Sequence, residues 1–165
     1  MLSALITAAL AALAAPPTGL ATIHYGAPPP NFAIPAPRGT HYLRDLRGKV
    51  VVIDFWATWC HVCIDEMDDF VRAQQQFGDG VAVVMISDED PGVASGYFHA
   101  RKIGLPLVED PVDAIFRLYS IAKVPDTLVL TPSGSVSYVS VGGLSMPELD
   151  QAIERAQAAP AATSG

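Results

Sequence analysis

From Lys49 to Trp56 the chain reads Lys-Val-Val-Val-Ile-Asp-Phe-Trp, a run of β-branched and aromatic residues without alternation. Such a run predicts a central strand covered on both faces. Beyond Thr58 the apolar spacing changes to that of a helix, with Cys63, Met67, Phe70 and Phe77 on one side and Gly78 as its terminator. Val81 to Ser87 predicts a second buried strand. Pro91 to Lys102 reads as a helix ending near Gly104, Leu105 to Val108 as a short strand, and Val112 to Tyr119 as a short helix. Strands at Thr127–Leu130 and Val136–Val141 are joined by Thr131-Pro132-Ser133-Gly134-Ser135, a hairpin signal. Gly142-Gly143 then breaks the chain before a helix from Met146 to about Ala158. Ahead of all these, Asn31 to Ile34 alternates as a short edge strand, and Gly39 to Arg47 reads as a turn or hairpin with a short helix or loop. Strands alternating with helices, closed by a hairpin and a helix, predict an α/β sandwich with a mixed sheet.

The two ends read differently. Leu2 to Ala15 is apolar except for Ser3 and Thr7. Fourteen helical residues span about 21 Å, short of a hydrocarbon core of roughly 30 Å, but they match the apolar core of a secretory signal. Ala12-Leu13-Ala14 supplies the small-residue site, with cleavage before Ala15, although no Lys or Arg precedes the run. Residues 1–14 are therefore expected to be a signal peptide, or an anchor, and the protein extracytoplasmic. Residues 15–30 read as a proline-rich linker; seven of the fourteen prolines fall between Pro16 and Pro37. The domain itself is expected over 31–158, with 159–165 a disordered tail.

Composition narrows the function. With 165 residues the chain holds one domain, and its net charge of -7 argues against a nucleic-acid partner, which would require clustered Lys and Arg. Its two cysteines, Cys60 and Cys63, are too few for a disulfide scaffold or a four-cysteine zinc site. His24, His41, His61 and His99 show no spacing that would complete a metal site. Cys60 and Cys63 follow the central strand and open a helix. Residues three apart on a helical turn lie within the Cα separation a disulfide accepts. The first sits where free N–H groups and the helix dipole favour a thiolate, and the second lies one turn in. One exposed sulfur would attack and one shielded sulfur would resolve the mixed disulfide.

The stretch Gly48-Lys49-Val50-Val51-Val52-Ile53-Asp54-Phe55-Trp56-Ala57-Thr58-Trp59-Cys60 and the later Lys123-Val124-Pro125-Asp126-Thr127-Leu128 resemble the thioredoxin superfamily, and within it the TlpA/ResA-like thiol-disulfide oxidoreductases. The resemblance runs from about Asn31 to Ala158. It implies a thioredoxin-like three-layer sandwich with a mixed central sheet and a TlpA-type helix-strand insertion, for which the 61 residues between Cys63 and Pro125 leave room. It implies a redox-active Cys60–Cys63 disulfide with no added cofactor. It further implies a cis bond before Pro125, placing the Val124 backbone beside Cys60 to receive an extended substrate, with Trp59 at the rim. Partners implied are protein thiols and disulfides, such as apocytochrome c or other oxidoreductases, and a membrane electron donor; a monomer is expected. Val62 departs from the proline many relatives carry before the second cysteine, and His61 also departs from the common pattern.

Other residues carry competing readings. Asp54, six before Cys60 in an apolar strand, is a candidate proton acceptor for Cys63, or an Asp simply hydrogen-bonded at the strand end. Glu66, three after Cys63, either tunes the thiols or serves the helix dipole alongside Asp65. His61 is a candidate hydrogen-bond donor to the Cys60 thiolate. Trp56 and Met67 read as core. A peroxiredoxin-like peroxidase lacks its P-x-x-x-T-x-x-C context here, and a copper chaperone would have to combine Cys60 and Cys63 with distant His99.

Overall fold

The computed structural model describes residues 23–159; the expected signal peptide, the start of the linker and most of the tail lie outside them. Strand β3 (Val50–Phe55) is buried along its whole length, which explains its unbroken apolar sequence. It pairs in parallel with β4 (Val81–Ser87), and β4 pairs in parallel with β5 (Leu107–Glu109). On its other side β3 pairs antiparallel with β6 (Asp126–Leu130), which pairs antiparallel with β7 (Val136–Val141). The five-stranded order β5-β4-β3-β6-β7 is therefore a mixed sheet, and a separate hairpin joins β1 (Ala33–Pro35) to β2 (Thr40–Tyr42).

Alternate residues of β3 serve opposite faces. Val50 and Val52 pack in one cluster with Met67, Phe70 and Ala73 of α1 (His61–Phe77), Phe98 of α2 (Val93–Arg101), and Leu149 and Ile153 of α4 (Met146–Gln157). Val51, Ile53 and Phe55 pack in a second cluster with Phe116 of α3 (Ala114–Leu118), Tyr119, Phe32 and Ile34. Phe55 meets Phe116 edge-on at 5.1 Å between ring centroids. Burying each such side chain contributes roughly 1.5–3 kcal/mol, so the two clusters hold the three layers together. Polar ties fix α1 in place: the Gln74 side chain donates to the Gly78 and Val81 carbonyls and accepts from Val83 N–H, and Arg72 pairs with Asp150 at 3.1 Å.

Several boundaries differ from the sequence reading, among them those of β1, α3, β5 and α2, and the last two have a clear cause. The short strand begins at Leu107 rather than Leu105, because Pro106 has no N–H for the ladder and offers only its carbonyl, to Met85 N–H at 2.9 Å. The second helix begins at Val93, after Gly92 at φ +90°, and stops at Lys102 in the left-handed region. The end of the proline-rich stretch also lies against the domain. Gly26 N–H donates to the Val136 carbonyl at 2.8 Å, Val136 N–H donates to Ala27, and Ile23 packs on the second cluster.

Candidate active site

Beyond β3 the ladder continues for one bond, from Trp56 N–H to the Ile86 carbonyl at 3.0 Å. Trp56 is fully buried between Tyr97 and Phe98. The chain then turns, closed by Cys60 N–H to the Ala57 carbonyl at 3.1 Å, and α1 starts at His61. Cys60 is the N-cap, and its Sγ accepts from Cys63 N–H at 3.2 Å, where a Ser or Asp oxygen usually stands. Cys60 and Cys63 form a disulfide, S–S 2.12 Å and Cα–Cα 5.3 Å. In this state both sulfurs are largely covered, Cys60 at 7% exposure and Cys63 at 1%, so the first is the more open but not freely exposed. Cys60 and Cys63 both belong to the core cluster on the α1 face of the sheet. Trp59 beside it is 67% exposed and Val62 half-exposed. His61 is exposed at the first helical position, and among the described residues the hydrogen bond to Cys60 Sγ comes from Cys63 N–H instead.

The Val124–Pro125 bond is cis, and Val124 packs against the cluster that contains both cysteines. Asp54 and Thr127 lie opposite each other in the β3–β6 pair, and Thr127 Oγ1 donates to Asp54 Oδ1 at 2.8 Å. Burial pushes the Asp54 carboxyl well above its ordinary value; the Thr127 bond opposes this, and the charges of Glu66 and Asp126 add to it. Glu66 is raised as well, first by burial and then by Asp69 and Asp65, against the bond it accepts from Leu144 N–H. Its other oxygen is buried without a partner. Asp126, next to the cis-proline, is raised by burial despite accepting from Gly142 N–H at 3.2 Å and lying near Lys123. Three buried or half-buried carboxyls thus lie on the elements that carry or adjoin the dithiol and the cis-proline, with Glu66 and Asp126 close enough to Asp54 to act on it.

Residues 25–139, well over half of the chain, match the AhpC/TSA family. The chain belongs to the AhpC/TSA family. Among curated relatives it is similar to the thiol-disulfide oxidoreductase ResA of Geobacillus kaustophilus, 28% identical over 133 residues covering 78% of this chain and 76% of that protein. It is also 28% identical to ResA of Bacillus subtilis, over 75% of this chain and 71% of that one. The crystal structure of a thiol:disulfide interchange protein of the thioredoxin family from Chlorobium tepidum superposes with a TM-score of 0.70 at 27% identity, covering 79% and 95% of the two chains. This AhpC/TSA-family protein has a thioredoxin-like fold and is a thiol-disulfide oxidoreductase, with the Cys60–Cys63 disulfide as its redox group.

Two residues have places at the site that the sequence of this family member did not reveal. Gly143 is one: a Cβ there would stand 2.8 Å from Glu66 Oε1 and 2.9 Å from Val62 Cγ1. The glycine is needed for space, because Glu66 must reach Leu144 N–H past it. Gly143→Ala is expected to cost about 1–3 kcal/mol in urea unfolding, as overpacking does; an unchanged midpoint would show that the Glu66 contact yields freely. Glu89 is the other, its carboxylate fastened to Thr58 just ahead of Cys60. The signal for it was topological. A loop leaving β4 must emerge beside the loop leaving its parallel neighbour β3. Met67 is fully buried core, and His99 sits exposed on α2. Among the described residues no three His, Cys, Asp or Glu side chains are grouped to hold a metal.

Proposed function

We propose that this oxidoreductase works outside the cytoplasm as a reductase of protein disulfides. The direction rests on the similarity to ResA, and the observation that carries the exchange itself is the placement of Cys60 at the N-cap of a 17-residue helix with Cys63 N–H aimed at its sulfur. That placement favours the Cys60 thiolate and leaves Cys63 covered until a mixed disulfide forms. In the reduced protein Cys60 Sγ attacks a substrate disulfide, one substrate thiol leaves, and Asp54 takes the Cys63 proton. Cys63 then attacks Cys60 Sγ, releasing the second substrate thiol and restoring the Cys60–Cys63 bond. The backbone at Val124 and cis-Pro125 receives the substrate strand, Trp59 lines the rim, and Glu66 tunes the pair. Substrates are protein disulfides of the kind found in an apocytochrome c, and electrons return from a membrane donor. The apolar segment Leu2–Ala15 supports export, with a mature amino terminus at Ala15 to be read by mass spectrometry of the native protein.

The test is twofold. The reduced protein is expected to reduce insulin with dithiothreitol as donor and to show no stoichiometric copper binding; copper uptake without insulin reduction would replace this reading by a metal-carrier one. The Cys60–Cys63 potential is expected between roughly -270 mV, thioredoxin's value, and roughly -120 mV, that of DsbA. We extend the proposal to His61 as a hydrogen-bond donor to the Cys60 thiolate in the reduced state. A bond to a charged group contributes about 1.5–3 kcal/mol when buried, and less at an exposed site. At about 1.4 kcal/mol per 30 mV, His61→Ala is expected to lower the potential by a few tens of millivolts. A potential that stays put or rises removes His61 from the site.

A further inference from the structure

Glu89 lies in the loop that leaves β4, and both of its oxygens are occupied. Oε2 accepts from Thr58 N–H at 2.8 Å and from Ser87 Oγ at 3.1 Å, and Oε1 accepts from Thr58 Oγ1 at 2.6 Å. Thr58 sits inside the Ala57–Cys60 turn, between the last ladder bond at Trp56 and the helix N-cap at Cys60. Side-chain hydrogen bonds to that turn from elsewhere in the fold come, among the described residues, from Glu89.

We propose that Glu89 is a positioning residue for thiol-disulfide exchange, holding the turn through Thr58 so that Cys60 keeps its place at the start of α1 when the disulfide opens. The proposal rests on Cys60 being the attacking thiol. Opening the Cys60–Cys63 bond takes two electrons and two protons from a partner dithiol, which leaves as a disulfide. Once the covalent link to α1 is gone, Cys60 is held by its backbone bonds and by the Glu89–Thr58 clamp two residues away. A thiolate gains from the helix N-terminus only within the first turn, so a loosened turn forfeits part of that gain. The opposite influence is the Glu89 charge itself, which disfavours a nearby thiolate. The two effects have opposite signs, and two hydrogen bonds with good geometry at Thr58 decide for positioning.

The experiment follows alkylation of Cys60 against pH in the reduced, full-length Cys63→Ser protein, alone and combined with Glu89→Ala, Glu89→Gln or Thr58→Val. Glu89→Ala is expected to move the midpoint up by about one pH unit and to slow alkylation about tenfold at a pH well below both midpoints, since less thiolate is present. Glu89→Gln, which keeps a carbonyl acceptor for Thr58, is expected to recover more than half of that displacement. Thr58→Val keeps the Glu89 charge and loses one bond, and is expected to move the midpoint in the same upward direction. The other titratable groups of the site, Asp54, His61, Glu66 and Asp126, are untouched in every variant. A midpoint that falls in both Glu89 variants would make Glu89 a charge effect, and an unmoved midpoint with reduced thermal stability would make it structural; either result overturns the proposal. If Cys60 in the Cys63→Ser parent shows no thiolate below the ordinary thiol range, the assignment of Cys60 as attacker fails first, which the Glu89 variants are not needed to reveal.

Discussion

Cys63→Ser is expected to accumulate mixed disulfides with protein substrates through Cys60, and Cys60→Ser to accumulate few. The two cysteines differ in burial and in position, one an N-cap and the other a turn inside the helix, so their roles are not interchangeable. With Cys63 removed, the mixed disulfide has no internal thiol to resolve it and survives until an outside thiol arrives. With Cys60 removed, the remaining sulfur is buried against Met67 and Phe70 in the core cluster and offers little to attack. Both variants are expected to lose insulin reduction down to the uncatalysed rate. Non-reducing electrophoresis after acid quenching measures the trapped species, and equal trapping by the two variants would reverse or abolish the assignment.

Asp54→Asn is expected to raise stability at pH 7 while slowing resolution of the mixed disulfide. The folded Asp54 carboxyl holds its proton more tightly than in the unfolded chain, chiefly through burial. Below an unfolded value of about 3.9 both states are protonated and the shift has no effect on stability. As pH rises past that value the unfolded chain releases a proton that the folded one keeps, so stability falls until the folded group also titrates. Asparagine escapes this penalty and still offers an oxygen to the Thr127 hydroxyl. The variant's advantage in urea is therefore expected at pH 7, smaller at pH 5 and absent below about pH 4. An advantage that persists at pH 3.5 would trace it to packing instead. Loss of the proton acceptor is expected to slow Cys63 attack on the order of 10²-fold, the low end for a general base, in a stopped-flow assay.

The sheet was legible because β3, β4, β6 and β7 each carry a pattern that burial on two faces or a tight hairpin turn demands. The dithiol was legible for the same kind of reason: a cysteine pair three apart, directly after a buried strand, has few structural settings. What could not be read were contacts between residues far apart in the chain. Glu66 and Gly143 meet across 77 positions, as do Thr58 and Glu89 across 31, and neither pair leaves a periodic trace. The docking of the linker's described end escaped for a similar cause. Proline content announces an extended backbone, but it does not announce the turn at Gly26–Ala27 that shares two hydrogen bonds with Val136 at the start of β7. The coverage of Cys60 in the closed disulfide was not legible, because local position in a helix does not report which core cluster a residue joins.

The crosslink spans only three positions of sequence. Closing so short a loop restrains the unfolded chain by about 2 kcal/mol, against nearly 5 kcal/mol for a loop of a hundred residues. Cohesion resides in the two apolar clusters on either side of the sheet, which the sulfurs barely help to close. The bond is thus freight rather than a rivet: it can be taken over from a client and given up again in every turnover without the carrier coming apart.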